Sequence, residues 1–162
     1  MPSNIIIPYR ANMGGVSSND DFVFTVDTTQ TGSASDTFEL AFATSSSVNL
    51  TVSWGDGSSD VITTWNQAEL THVYSASGTY QVSLNGSFDS LLFYNNDEAK
   101  LMSIDNWGTN KWQKGTNSFR DCVNMVATYS DNPDFSEITI MTTMFYGCTN
   151  FDGELTIDIP LC

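Results

Sequence analysis

Hydrophobic and polar residues alternate along most of the first half of the chain. The two-residue period runs through 22–26, 38–42, 48–54 and 80–84, and each run is bounded by Gly, Ser, Asn or Asp. Alternation of this kind is typical of strands that bury one face, whereas helical periodicity is nearly absent before residue 110. The pattern therefore predicts a mostly β protein that begins with an antiparallel β-sandwich.

The first 19 residues lack this period. Pro2, Pro8 and Gly14-Gly15 interrupt any regular element, which predicts an extended N-terminal arm over 1–19. The apolar run Ile5-Ile6-Ile7 has no basic residue before it and is too short for the core of a secretory signal. No run approaches the ~20 apolar residues of a transmembrane helix, so membrane insertion is not expected.

Three segments that follow in order carry a resemblance. They are Val52–Ser58 (V-S-W-G-D-G-S), Thr71–Tyr74 (T-H-V-Y) and Gly78–Leu84 (G-T-Y-Q-V-S-L). Together they closely resemble the PKD domain, an immunoglobulin-like sandwich of extracellular and particle-surface proteins. The resemblance covers roughly 20–92 and implies a module without catalytic activity.

The same resemblance implies structural roles for the residues of these motifs. Glycines permit positive φ in a tight turn, and a carboxylate in the turn can accept backbone N–H groups. A tyrosine at the start of the later strand can tie its hydroxyl to a crossing loop. The residues concerned are Trp54, Gly55, Asp56, Gly57, His72, Tyr74 and Tyr80.

A repeat follows in the last third of the chain. Residues 117–125 (N-S-F-R-D-C-V-N-M) recur as 143–151 (T-M-F-Y-G-C-T-N-F). The matched pairs are Phe119 with Phe145, Cys122 with Cys148, and Asn124 with Asn150, all separated by the same interval, which we call the repeat interval. A fixed period of this length predicts stacked units in which equivalent side chains form ladders.

This repeat pattern resembles the BspA-type leucine-rich repeats of bacterial and phage surface proteins. We therefore interpret 20–95 as a PKD-like sandwich and 96–162 as a short solenoid-like region of about two repeats. Because such stacks need roughly three or more units or caps, the end of this array is expected to contact a neighbouring subunit or another partner.

The charge balance limits the classes of molecule that the chain is expected to bind. The 162 residues carry 19 acidic and 5 basic side chains, a net charge of −14, and no Lys or Arg lies between Arg10 and Lys100. Such a field repels phosphate backbones, so nucleic acid is not expected to bind. The chain has neither a Walker A motif nor G-x-G-x-x-G, and therefore no nucleotide cofactor is predicted.

The polar residues provide few combinations suited to catalysis. His72 is the only histidine, and no G-x-S-x-G turn presents a serine to it. Acidic pairs such as Asp97 and Glu98 are expected at the solvated surface, because the chain is rich in acids. Cys122 and Cys148 repeat in phase, which favours packing thiols over nucleophiles. We predict that the chain is not an enzyme.

Metal and ligand candidates are few. Asp56 and Asp60 flank an oxygen-rich turn where an incidental Ca²⁺ ion could bind, although the EF-hand loop pattern is absent. We expect neither a cofactor nor a dedicated metal site. Trp65 follows Thr63-Thr64 in a loop and is the candidate for binding a ligand such as a glycan, while Trp107 and Trp112 are expected in the core.

These observations leave three hypotheses, of which an enzyme is the least favoured. The first is a structural protein of a phage virion surface, either a capsid decoration or a tail-fibre component, which contacts other virion proteins or its own copies through the arm and the repeat end. The second is a bacterial cell-surface adhesion or glycan-binding module, which would bind a host-surface glycan.

Overall fold

The computed structural model describes residues 20–155, and this part of the chain is mostly β. Its strands are β1 (Phe22–Asp27), β2 (Thr37–Glu39), β3 (Ala41–Phe42), β4 (Val48–Ser53), β5 (Ser59–Ile62), β6 (Thr71–Val73), β7 (Thr79–Phe88), β8 (Leu91–Leu92), β9 (Leu101–Asn106) and β10 (Val126–Ala127). Two 3₁₀ helices occupy Ala68–Leu70 and Glu98–Lys100. The predicted arm at 1–19 and residues 156–162 lie outside the described residues. Within 20–155, no helix has the length and apolar character needed to cross a bilayer.

Six strands form the main sheet in the order β10-β9-β1-β7-β4-β5. Neighbouring strands in this sheet are antiparallel, except for β9 and β10, which are parallel. Two small antiparallel sheets, β2-β6 and β3-β8, accompany it. The mostly β character and the antiparallel strands confirm the coarse fold class expected from the alternation.

Aromatic side chains join the main sheet to the small sheets. Phe24 on β1 contacts Phe38 on β2 and Phe93, with ring centroids 6.0 and 5.0 Å apart, and Phe42 on β3 lies 5.9 Å from Phe88 on β7. All five rings are buried. Antiparallel sheets whose apolar faces pack on each other are consistent with a β-sandwich.

The run at 38–42 differs from the single strand that its alternation predicts. It forms two short strands, β2 and β3, in different small sheets. The division falls at Leu40, whose amide donates to the Leu70 carbonyl at 2.9 Å instead of to a neighbouring strand. A side-chain period of two cannot reveal such a change of partner, because the alternation continues through it.

The expectation that Asp97 lies at the solvated surface is wrong. Its side chain is 1% exposed and lies 3.4 Å from the Lys100 ammonium group, whose side chain is fully buried. The Asp97 carboxylate accepts hydrogen bonds from the Ser33 amide and hydroxyl and from the Glu39 amide. These contacts replace water around the carboxylate, so its burial follows from partners that are distant in the sequence.

Candidate functional site

The Trp54–Ser58 turn joins β4 to β5 and forms the first part of the candidate site. Gly55 and Gly57 have φ of +87° and +96°, a region that favours glycine. A Cβ on Gly55 would lie 2.4 Å from the Gln81 carbonyl oxygen of β7, so the turn is also packed closely against the sheet. The Trp54 amide donates to the Ser58 carbonyl at 3.1 Å and closes the turn.

His72 on β6 lies against this turn. Its Nε2 is 3.0 Å from the Asp56 carboxylate, and its ring stacks on Trp54 with centroids 4.7 Å apart and planes 2° from parallel. The Asp56 carboxylate also accepts the Ser58 amide at 2.9 Å and the Ser58 hydroxyl at 2.6 Å. The side chains of the turn therefore satisfy one another.

Two tyrosines complete this cluster. The buried Tyr74 donates its hydroxyl to the Trp54 carbonyl at 3.0 Å and stacks on Tyr80 with ring centroids 3.8 Å apart. Tyr80 in turn donates to the Ala76 carbonyl in the loop before β7 at 2.7 Å. Burial, with the negative charge of Asp56 nearby, raises the pKa of Tyr74 well above its ordinary value, so this hydroxyl stays a neutral donor.

The set Ser58, His72 and Asp56 contains the residue types of a hydrolase triad but not its connections. In a triad one histidine nitrogen faces the serine and the other faces the carboxylate. Here the single nitrogen Nε2 faces both Asp56 at 3.0 Å and Ser58 at 3.5 Å, while Ser58 donates directly to Asp56. This arrangement holds the turn together and does not set up Ser58 for proton transfer to His72.

The two metal candidates also use their oxygens within the protein. Asp60 accepts the Trp54 indole N–H at 2.8 Å, while both Asp56 oxygens are hydrogen-bonded to Ser58 or His72. Across residues 20–155, no group of three or more His, Cys, Asp or Glu side chains is arranged to hold a metal ion.

Partial burial acts to raise the pKa of Asp56, but the hydrogen bonds from Ser58 and His72 outweigh it and hold the pKa below the ordinary value of 3.8. A carboxyl group with a lowered folded-state pKa stabilises the fold above its unfolded pKa, and this stabilisation is lost as the pH falls through the folded value.

We therefore expect Asp56→Asn to lower the free energy of unfolding by about 1–2 kcal/mol at pH 7 and by less at pH 3. Urea unfolding at both pH values measures the difference. Glu69→Gln, at an exposed position in the first 3₁₀ helix, is the control and should cost little at either pH. An equal loss for Asp56→Asn at both pH values would contradict the linkage.

Comparison of the chain with protein-family models, with curated proteins and with solved structures finds no match.

Three stretches of the second half lie side by side and form the second part of the candidate site. We name them the first coil (91–106), the second coil (115–127) and the third coil (139–153), and together the stack. Phe93, Phe119 and Phe145 follow one another at the repeat interval, with consecutive ring centroids separated by 5.4 and 5.3 Å. The amides of Phe93 and Phe119 donate to Ser118 and Met144 at 2.7 and 2.9 Å, so the hydrogen bonds repeat with the same period.

The backbone conformation repeats as well. Asn117 and Thr143 have φ of +59° and +57°, and Asp121 and Gly147 have φ of +59° and +78°. The members of both pairs are separated by the repeat interval, which also relates Phe119 to Phe145. Equivalent residues therefore share backbone conformation, which side-chain identity alone does not require.

The two repeated cysteines lie within this stack. Cys122 is buried, and the half-buried Cys148 donates its thiol to the Phe119 carbonyl at 2.8 Å. Burial raises the pKa of Cys148 to about 11 and that of Cys122 further. Because the thiolate is the reactive form, both side chains are poor nucleophiles at neutral pH.

The exposed side of the stack carries a feature that the sequence motifs did not single out. The Arg120 guanidinium carbon lies 4.5 Å from the ring centre of Tyr94 and 5.5 Å from that of Tyr146. These rings belong to residues that are 40% and 62% exposed. Tyr94, Arg120 and Tyr146 again follow one another at the repeat interval, so the period that relates Phe119 to Phe145 could have found this Tyr–Arg–Tyr column.

The other tryptophans have different environments. Trp107 and Trp112 are fully buried, with ring centroids 5.8 Å apart, and Asp131 accepts the Trp107 amide. Trp65, the candidate ligand platform, is partly buried and packs against the core, so only part of its ring is accessible.

Proposed function

We propose that this chain is a non-enzymatic structural or binding protein of a virion surface, in which a PKD-type sandwich carries a short solenoid of BspA-like repeats. The observation that carries the proposal is the use of the site's polar groups. His72 on β6 bonds to Asp56 of the β4–β5 turn, Asp56 bonds to Ser58, and the repeated thiols pack within the stack. These side chains stabilise the fold, and a stable fold is what a structural subunit of a particle requires.

The stack and the charge also support this proposal. The stack continues from the β-sheet core with its own periodic hydrogen bonds, so the module presents an extended surface as well as a deep core. The net charge of −14 disfavours binding to packaged nucleic acid, which is compatible with an outer position on a particle.

Mass spectrometry of phage-like particles banded on a density gradient tests the proposal. We expect peptides of this chain to co-band with the major capsid protein at many copies per particle, and to be removed by neither salt washing nor nuclease. Absence from the banded particles, with recovery in a cell-envelope fraction, would contradict the virion assignment.

The Tyr–Arg–Tyr column favours a cell-surface adhesion or glycan-binding module as the second candidate. Exposed tyrosine rings can cover the apolar face of a sugar, and the negative field of the chain favours neutral sugars over acidic ones. Recovery in the envelope fraction, together with retention on a neutral-glycan matrix that Tyr146→Ala abolishes, would support this alternative over the virion assignment.

A further inference from the structure

The second coil is joined to the third by a regular row of backbone hydrogen bonds. The amides of residues 115, 117, 119 and 121 donate to the carbonyls of residues 140, 142, 144 and 146 at 2.8, 3.1, 2.9 and 2.7 Å. The intervening amides form local turns, such as the bond from Arg120 to Asn117. Every second amide from residue 115 to residue 121 therefore points to the next coil of the stack.

The third coil repeats this conformation, and no further coil pairs with it within 20–155. Its local turns are the same, since the amides of 144, 146 and 148 donate to the carbonyls of 141, 143 and 145. The amides equivalent to the joining row belong to residues 141, 143, 145 and 147, and within 20–155 they have no hydrogen-bond partner. This open row of amides can donate to the carbonyl groups of another chain that lies along the third coil.

The open row sets three requirements for a covering segment. It must present carbonyl groups on alternate residues, as residues 140, 142, 144 and 146 do for the second coil. It must be apolar, because Ile140 is 46% exposed beside the row and Phe145 is only partly buried. It must also lack acids, because seven acidic residues and no Lys or Arg follow Arg120 in the sequence.

We propose that residues 3–10 of a second copy of this chain cover the open row. This segment contains Ile5-Ile6-Ile7 and the cationic Arg10, and the whole of 1–19 contains no Asp or Glu. Pro8 lacks an amide N–H but keeps its carbonyl, and the amides of the open row donate only to carbonyl groups of the partner. The inference deepens the proposed assembly role, but self-association through this edge can be tested without any particle.

Photo-cross-linking in the full-length chain tests the contact. The photoreactive residue p-benzoylphenylalanine replaces Ile6, and ¹⁵N-labelled protein is mixed with unlabelled protein before irradiation. We expect cross-links between the peptide that contains position 6 and the peptide that contains 139–147, with one partner labelled and the other unlabelled. Links confined to one isotope would mean that the segment binds its own chain, and this would overturn the proposal, as would links elsewhere or none.

A matched pair of variants tests the surface. Ile140→Lys removes apolar contact and repels Arg10, so the yield of mixed cross-links should fall about tenfold. The control is Val61→Lys, which changes a residue of 62% exposure on β5, the edge strand farthest from β10 in the main sheet. The side-chain amide of Gln67 already donates to the Val61 carbonyl. Equal yields from the two variants would overturn the assignment of the arm to the open row.

The two proposals fail separately. A chain that cross-links through this edge but is absent from purified particles retains the arm contact and loses the virion assignment. A chain that is found in particles as a monomer without mixed cross-links retains the virion assignment and loses the arm contact.

Discussion

Replacing Lys100 by alanine is expected to lower the free energy of unfolding by about 3–5 kcal/mol, because it leaves a buried carboxylate without its cation. The Lys100 side chain is fully buried, and its ammonium group lies 3.4 Å from Asp97. The same ammonium group is within 2.7–3.1 Å of the Ser33 hydroxyl and of the carbonyls of Ser33, Ala34 and Thr37. Alanine would leave these carbonyls and the Asp97 carboxylate without their shared donor.

Thermal and urea unfolding of the variant measure this loss, which corresponds to a fall in Tm of about 10 °C for a chain of this size. Lys111→Ala is the matched control, since the Lys111–Glu137 pair is about half exposed and its loss should change the free energy of unfolding far less. A loss for Lys100→Ala no larger than for Lys111→Ala would show that water replaces the ammonium group. The double variant Asp97→Asn with Lys100→Met should recover part of the stability.

This buried pair also marks a limit of sequence reasoning. The alternation at 22–26, 48–54 and 80–84 predicted β1, β4 and the middle of β7. A strand that buries one face has apolar and polar residues in alternation, and this period is visible in the sequence. No comparable sequence pattern indicates that Asp97 is buried. Its burial depends on the Ser33 and Glu39 amides, 64 and 58 residues away, and a charged residue in an acidic sequence is ordinarily solvated.

The candidate site was partly predictable for the same physical reason. The motif residues around Trp54 could be selected because they are close in sequence. Phe119 and Phe145 could be selected because the same residue type recurs at the repeat interval. The first coil could not be selected by the repeated cysteine, because Asn96 stands at the position of Cys122 and Cys148 in the other two coils. Its place in the stack follows from the bond of the Phe93 amide to Ser118, which repeats backbone geometry with different side chains.

Phe119→Ala is expected to cost about 3–5 kcal/mol, because it opens a cavity where the β-sheet core meets the stack. Phe119 is fully buried, stacks on Phe93 and Phe145, and lies 5.7 Å from Trp107. Trp107 in turn lies 5.7 Å from Phe22 on β1, so one continuous aromatic cluster links the sheet to the repeats.

A shared cluster has a consequence for cooperativity. If the sheet and the stack bury one core, circular dichroism and tryptophan fluorescence should give coincident urea transitions in both the natural chain and Phe119→Ala, with a lower midpoint in the variant. Val123→Ala, an exposed change in the second coil, should stay within about 0.5 kcal/mol of the natural chain. Two separate transitions would contradict a single core, since the repeats would then unfold while the main sheet remained intact.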